Sequence, residues 1–210
     1  MIGQIIRYFQ TSSGEYWGYV GQHLFLSFTS LIIALIIALP LGYLGSRSRV
    51  VAGFCQTFSQ VLRIIPSLAL LFVLIPFIGT GDVPALIALV VLALPPLVIN
   101  TILGFAEVPA DLKEVGLSLG MTQWQLLRQV TFPLALPYIL NGIKLALVEV
   151  IASATLATYI GAGGLGTLIF IGLGLYKMDY VLIGAVSVAL LSLIMMLLLD
   201  ALIRKVQEND

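Results

Sequence analysis

Charge is what this sequence has least of. Of its 210 residues only 10% are Asp, Glu, Lys or Arg, ten basic against ten acidic, while 60% are hydrophobic. A soluble domain carries roughly 25% charged residues, so this chain has too few to coat a water-facing surface and reads as an integral membrane protein. Its zero net charge argues against a nucleic-acid partner, which needs a basic stripe. Cys55 is the single cysteine, so there is no internal disulfide and no cysteine-based metal site. His23 is the single histidine, which rules out a two-histidine metal centre within one chain, and no metal ligands are assigned. No serine sits in a G-x-S-x-G elbow, and a lone histidine outside the helices supplies no good general base, so intramembrane hydrolysis fits poorly. A Walker A sequence is missing as well. Neither Lys113 nor Lys144 follows the required glycine pattern, so any ATP must be hydrolysed by another chain.

What is present is long uncharged runs. A hydrocarbon core about 30 Å thick needs about 20 apolar residues of helix, and five mostly apolar runs of that size emerge, at residues 23–45, 53–78 (containing Arg63), 83–105, 134–160 (containing Lys144 and Glu149) and 180–202. In the last, Val181 to Leu199 holds twelve Leu, Ile and Val residues, together about −4 to −7 kcal/mol on the insertion scale. Strand-period alternation is absent, since Leu31 to Leu39 is apolar at consecutive positions; the expected fold is therefore all-α, a polytopic helical bundle and not a barrel. Pro40, Pro66, Pro76, Pro95, Pro96 and Pro137 fall within or at the ends of these spans, where kinks are expected but no change in the count. The nine-residue run Thr167 to Leu175, about 14 Å as helix, is too short to cross and reads as an interfacial or re-entrant piece.

Five spans place Arg47, Arg49, Lys113, Arg128, Arg204 and Lys205 on one side, Arg7 and Lys177 on the other, and Arg63 and Lys144 in the membrane. Six against two puts the C-terminus in the cytoplasm and the N-terminus outside. The expected organisation is an external or interfacial segment at 1–22, a transmembrane domain at 23–203 with a cytoplasmic loop at 106–132, and a cytoplasmic tail at 204–210. Tyr16, Trp17 and Tyr19 then contribute to the outer aromatic belt, with His23 beside them at the interface. No basic n-region with a small-residue cleavage site precedes the first span, which reads as an uncleaved anchor.

The loop from Glu107 to Pro133 is coded for helix but not for membrane. Pro109 suits a first helical turn, Asp111 and Glu114 lie near its positive end, and Gly120 suits a left-handed stop. Thr122 and Gln125 form a capping box for a second helix, Met121 and Leu126 have hydrophobic-staple spacing, and Pro133 marks that helix's end or the start of the fourth span. Leu112, Leu119, Trp124 and Leu127 supply apolar surface, which either packs on the bundle itself or docks a cytoplasmic partner.

Here the sequence resembles a known family. Glu114-Val115-Gly116, three residues, Gly120, nine residues, then Val130-Thr131-Phe132-Pro133 is similar to the "EAA, three residues, G, nine residues, I-x-L-P" loop of ABC-importer permeases. Val115, Gly116, Val130 and Phe132 depart from it, and Gly116 is expected to loosen the helix. The resemblance continues through Ile65-Pro66-Ser67-Leu68-Ala69-Leu70, Ile75-Pro76-Phe77-Ile78-Gly79, Pro133-Leu134-Ala135-Leu136-Pro137, Ala154-Thr155-Leu156-Ala157 and Ile160-Gly161-Ala162-Gly163-Gly164-Leu165-Gly166. This combination is similar to the osmoprotectant branch, which carries glycine betaine, choline, carnitine and related quaternary amines. The resemblance implies a five-helix permease core of the bacterial or archaeal cytoplasmic membrane. Its partners would be a second permease, identical or similar, two ATPase subunits and an extracytoplasmic substrate-binding protein separate from this chain. ATP and Mg would be bound by the ATPase, with no cofactor in this chain. Glu114 and the Gly120 turn would sit in the ATPase groove, with Gly116, Thr122, Trp124, Arg128 and Pro133 in the same coupling segment.

Other features admit two readings. Gly161, Gly163 and Gly166 match G-x-G-x-x-G, but the segment follows a membrane helix and links no strand to a helix; with Gly164 they read better as a tight turn at the outer mouth. A mid-membrane Lys or Arg costs about 2.5 to 3.5 kcal/mol, so Arg63, Lys144 and Glu149 must face protein or water. Lys144 and Glu149, five positions and about 140° apart on a helix, do not pair with each other; one of them can pair with Arg63 or the second subunit. Either Lys144 snorkels and Glu149 bonds a neighbouring helix, or both line the pathway with Tyr159. The competing reading of the whole chain is a secondary carrier or channel subunit, which would show ion-driven transport without ATP and an internal repeat; no clear repeat is seen.

Overall fold

The computed structural model describes residues 2–208, and among them there are helices and turns but no strands. α1 (Ile2–Arg47) is one 46-residue element, about 69 Å at 1.5 Å per residue. It therefore exceeds the expected first span, 23–45, by the whole N-terminal segment, and the break falls at Ser12, whose φ of −131° is not helical.

The second run behaves differently from expectation. Residues 53–78 form two helices, α2 (Arg49–Ile64) and α3 (Ser67–Ile78), which meet at 92°. Pro66 is the cause: it offers no N–H, and the residue before a proline is driven out of the helical region. Ile65 accordingly sits at φ −73°, ψ 120°. Pro40, Pro76, Pro95, Pro96 and Pro137 remain inside helices, so Pro66 alone of the six breaks its span.

α4 (Asp82–Ala106) and α9 (Met178–Gln207) match the third and fifth expected spans to within a few residues. The fourth, expected at 134–160, is α7 (Phe132–Ala154) followed by a 3-10 turn at Leu156–Ile160. Between α4 and α7 lie α5 (Ala110–Ser118), the four-residue α6 (Gln123–Leu126) and a π-helical turn at Leu127–Thr131. α8 (Gly166–Gly174) covers the short apolar run. Among the described residues four helices are long and apolar enough to cross a membrane, and α2 with α3 makes a fifth when the bent pair counts as one span.

Contacts between helices fix that count. Gly42 and Gly45 of α1 face Thr101 and Ile102 of α4 so closely that a Cβ at either glycine would collide, so the C-terminal ends of α1 and α4 lie together. At the other end, the Gly81 N–H donates to the Ile160 carbonyl at 2.6 Å, and Phe105 neighbours Phe132, so α4 and α7 are antiparallel. α2 and α3 together therefore carry the chain from one end of the bundle to the other.

α4 is the centre: 61% of its apolar stretch is buried, against 11% for α9. Ala85, Ala88, Leu89, Ala93 and Leu97 pack there with Leu26, Ala34 and Ala38 of α1 and Ala146, Leu147 and Val150 of α7. Lipid is as apolar as leucine, so helices in a membrane associate by close packing of small residues. Gly142 of α7 lies against Asn100 and the Pro96 carbonyl, and Gly104 of α4 against Ala135 and Tyr138. These contacts hold α4 between α1 and α7.

Candidate coupling site and transport pathway

One end of the bundle carries the loop. α5 stops in a Schellman turn: the Met121 N–H donates to the Gly116 carbonyl at 3.1 Å, and Gly120 to Leu117 at 3.0 Å. Gly120 sits at φ +82°, the left-handed region in which only glycine is unstrained. The capping box forms as expected. Thr122 Oγ1 accepts from the Gln125 N–H at 3.2 Å, and Gln125 Oε1 accepts from the Thr122 N–H at 2.8 Å.

Gly116 has a different role from the loosening expected of it. It is buried, and a Cβ there would lie 2.7 Å from Leu126 Cδ1 and 3.3 Å from Met121 Sδ. The glycine lets α5 and α6 close on each other over Leu126. That inward packing leaves the other apolar side chains outside: Leu112, Leu119 and Trp124 are 44%, 75% and 68% exposed. Leu127 is the exception, half-buried against Phe105 and Ala135. Glu114, Thr122 and Arg128 are exposed and Pro133 is half-buried.

The second loop helix is not separate from the fourth span, as Pro133 had suggested. Gln123 to Ala154 forms one continuous helical stretch of 32 residues, with the π turn inside it and Pro133 in the first turn of α7. Pro133 has no N–H to give to the helical ladder, and the π turn lies directly before it, where the bonding pattern already departs from α. Behind the loop is a cavity of about 400 Å³, lined by Arg47, Lys113, Gln123 and Thr131 among others. The Arg47 guanidinium lies 4.8 Å from the centre of the Tyr43 ring.

Within the bundle the charged residues separate. Lys144 Nζ donates to Asp200 Oδ1 of α9 at 2.7 Å, so its partner is on α9 and is not Glu149. Asp200 was missed as its partner because the two lie 56 positions apart and only packing of α7 on α9 joins them. Glu149 is half-buried, and Arg63, exposed in the last turn of α2, is the charged group acting on it. Asn141 Nδ2 donates to Asn100 Oδ1 at 3.3 Å, joining α7 to α4. This pair also went unread; its signal was a polar amide in each of two apolar runs.

At the opposite end the glycine segment and α1 form one unit. Gly161, Gly163 and Gly164 have φ of +82°, +74° and +84°. The Gly164 N–H donates to Gln22 Oε1 at 3.2 Å, and Thr158 Oγ1 donates to the Gly163 carbonyl at 2.8 Å. Gly166 sits against the Thr155 carbonyl with no room for a Cβ. Tyr159, 52% exposed, meets Phe170 with ring centres 4.0 Å apart and planes inclined at 51°, and reaches Phe72 of α3 at 6.2 Å.

His23 is not interfacial, as its place beside the aromatic belt had implied. It is fully buried, and its Nε2 lies 3.0 Å from the Ile151 carbonyl of α7. A carbonyl only accepts, so Nε2 carries the hydrogen, while Nδ1, beside Gly164, is buried without a partner. Ile151 of α7 and the glycine segment at Gly164 enclose His23.

Comparison with known proteins decides the family. Residues 30–208 match the family described as "Binding-protein-dependent transport system inner membrane component". The chain belongs to that family. This permease is 45% identical over 190 residues to the carnitine transport permease protein OpuCB of Listeria monocytogenes, covering 90% of this chain and 87% of that one. It is 40% identical over 205 residues to the glycine betaine/carnitine/choline transport system permease protein OpuCB of Bacillus subtilis, covering 98% and 94%. The permease also superposes on a chain of the inward-facing MetNI methionine ABC transporter with a TM-score of 0.80 and 25% identity, over 91% of this chain and 95% of the other. The expected fold and family are therefore established: the protein is an ABC-importer permease subunit, an inner-membrane component. The family match takes in the loop, the glycine segment and the Lys144–Asp200 pair, and begins after His23.

Proposed function

We propose that this permease forms the translocation pathway of an ATP-driven importer for quaternary-amine osmoprotectants, and that the 106–132 loop couples it to the ATPase. The substrate class is supported by the two relatives named for carnitine and for glycine betaine, carnitine and choline. Coupling is carried by a single observation: α6, the π turn and α7 are continuous, so a displacement of the loop passes into the bundle without crossing a flexible joint. Trp124, Leu119 and Leu112 would meet the ATPase through their exposed apolar surface, with Glu114 and Arg128 as charged contacts. The Gly120 turn fixes the angle between the two loop helices, and Gly116 and the Thr122 cap fix their spacing.

In this reading the chain is not itself catalytic. ATP and Mg are held by two ATPase subunits, and a second permease and an extracytoplasmic binding protein complete the assembly. The N-terminus lies outside and the C-terminus in the cytoplasm, which places the loop and Arg47, Arg204 and Lys205 on the ATPase side. Arg63, Glu149 and Tyr159 remain the pathway candidates, while Lys144, held by Asp200, ties the pathway helix α7 to α9. Gly161, Gly163, Gly164 and Gly166 would form the outer mouth.

The test is reconstitution of the purified assembly with its binding protein into liposomes. Uptake of labelled glycine betaine, choline or carnitine is expected only with ATP on the ATPase side. Uptake driven by an ion gradient without ATP would contradict the proposal.

A further inference from the structure

Between the start of α1 and the start of α9 the structure holds a polar cavity, and an apolar groove lies further along α9. The cavity, about 300 Å³, is lined by Arg7, Tyr8 and Thr11 of α1 and Lys177, Asp179 and Tyr180 at the start of α9. Arg7 and Lys177 are the two basic residues that the charge distribution separates from all the others, and folding brings them to one place. Tyr8 is 4% exposed, and its hydroxyl is buried with no hydrogen-bond partner. A buried donor without a partner is costly unless something fills the site.

Next along α9 lies a cavity of about 330 Å³ lined by Ile5, Phe9, Leu182, Val186 and Leu190, among others. A third follows, of about 230 Å³, reaching Leu191 and Ile194. The last two share Tyr16, Ser187 and Leu190, so they are one groove. The Tyr16 and Ser187 hydroxyls in its wall lie 2.9 Å apart and satisfy each other, which leaves apolar surface. Val186, Leu190 and Ile194 are each about half exposed. From Tyr180 to Ile194 the axis of α9 advances about 21 Å at 1.5 Å per residue. One leaflet of a bilayer, head groups included, is about 20 to 22 Å thick.

We propose that this groove holds a single phosphatidylethanolamine molecule from the leaflet at the start of α9. Arg7 and Lys177 take the phosphodiester, with the Tyr8 hydroxyl available as a further donor, and Asp179 takes the ammonium. One acyl chain follows the groove past Leu190. Charge complementarity selects this lipid: the site offers two cations and one carboxylate, and the head group offers one anion and one ammonium. Residues 4–11 of the site lie before residue 30, where the family match begins, so the site belongs to the kinked start of α1 and not to the common permease core.

The assembled transporter, extracted in mild detergent from membranes containing phosphatidylethanolamine, phosphatidylglycerol and cardiolipin, provides the test, with retained lipid counted per permease by mass spectrometry. Phosphatidylethanolamine is expected to be enriched over its share of the membrane. Arg7→Ala with Lys177→Ala should lower its retention about tenfold. Leu190→Trp, which fills the groove and leaves the charges, should lower it as well. Asp179→Asn should move the preference toward phosphatidylglycerol, and Lys113→Ala at the other end of the bundle should change nothing. Variants are compared at equal ATPase content, so a misfolded one is recognised and the remaining variants decide. Preference for phosphatidylglycerol in the wild type, retention unchanged by both the double variant and Leu190→Trp, or a Ser187→Cys cross-link to the second permease in place of lipid would overturn the proposal.

Discussion

Asp200 turns Lys144 from an exposed cost into a link between two helices. An intramembrane lysine must be paired or solvated, and at 2.7 Å with both side chains largely shielded the pair is a charge-assisted contact. Asp200→Asn leaves the ammonium without its counter-charge and should lower the unfolding midpoint of the detergent-solubilised complex. Asp200→Leu combined with Lys144→Met removes both charges and should lower it less than Asp200→Asn does, because the unpaired charge, and not the loss of the pair, carries most of the penalty. A double variant less stable than the single one would reverse that assignment. Gly164 makes a second case at this scale. Its φ is +84°, and a Cβ would stand 3.1 Å from His23 Nδ1. Gly164→Ala should therefore cost about 1 to 2 kcal/mol from the backbone alone, read as loss of thermal stability, whereas Gly174→Ala, with open space around it, should be near neutral.

At the scale of elements, the spans were legible because an uncharged run of about 20 residues has one stable form in lipid. The capped loop was legible for a similar reason, since Gly120, Thr122 and Gln125 act on their own neighbours. What could not be read were features set by distant partners. The 92° turn at Pro66 differs from the mild effect of Pro95 and Pro96 because α4 is enclosed by α1 and α7, while α2 and α3 are exposed along much of their length. Gly116 and His23 were misread for the same cause: Leu126 and Ile151, which define their surroundings, come from other helices. The crossing by α2 and α3 gives a direct prediction. With Cys55, which is buried, replaced by serine, Thr80→Cys should react in intact cells with a membrane-impermeant maleimide. Ser118→Cys should react only after permeabilisation. The opposite pattern would contradict the orientation drawn from Lys and Arg.

For the whole molecule, the packing argues that substrate choice lies mostly outside this chain. A quaternary ammonium is recognised by open aromatic faces, and the Tyr43 ring is already covered by Arg47. Exchanging the extracytoplasmic binding protein for one with a different quaternary-amine preference should therefore change the transported ligand. Selectivity that followed Tyr43, Tyr159 or Glu149 variants, at unchanged binding-protein affinity, would contradict this. If the loop transmits the ATPase motion, Gly120→Val should break that transmission. A β-branched side chain is strongly disfavoured at φ +82°, and a cost of about 1 to 2 kcal/mol shifts the equilibrium between the native turn and its alternatives about tenfold against the turn. The measurement is ATP-driven uptake of labelled glycine betaine by reconstituted Gly120→Val transporter, at matched permease content and beside Val188→Ala as a control. Gly120→Val should show normal membrane abundance, weakened ATPase association and uptake lowered about tenfold or more, and Val188→Ala near-normal uptake. Wild-type uptake by Gly120→Val with the ATPase still bound would contradict transmission through the loop.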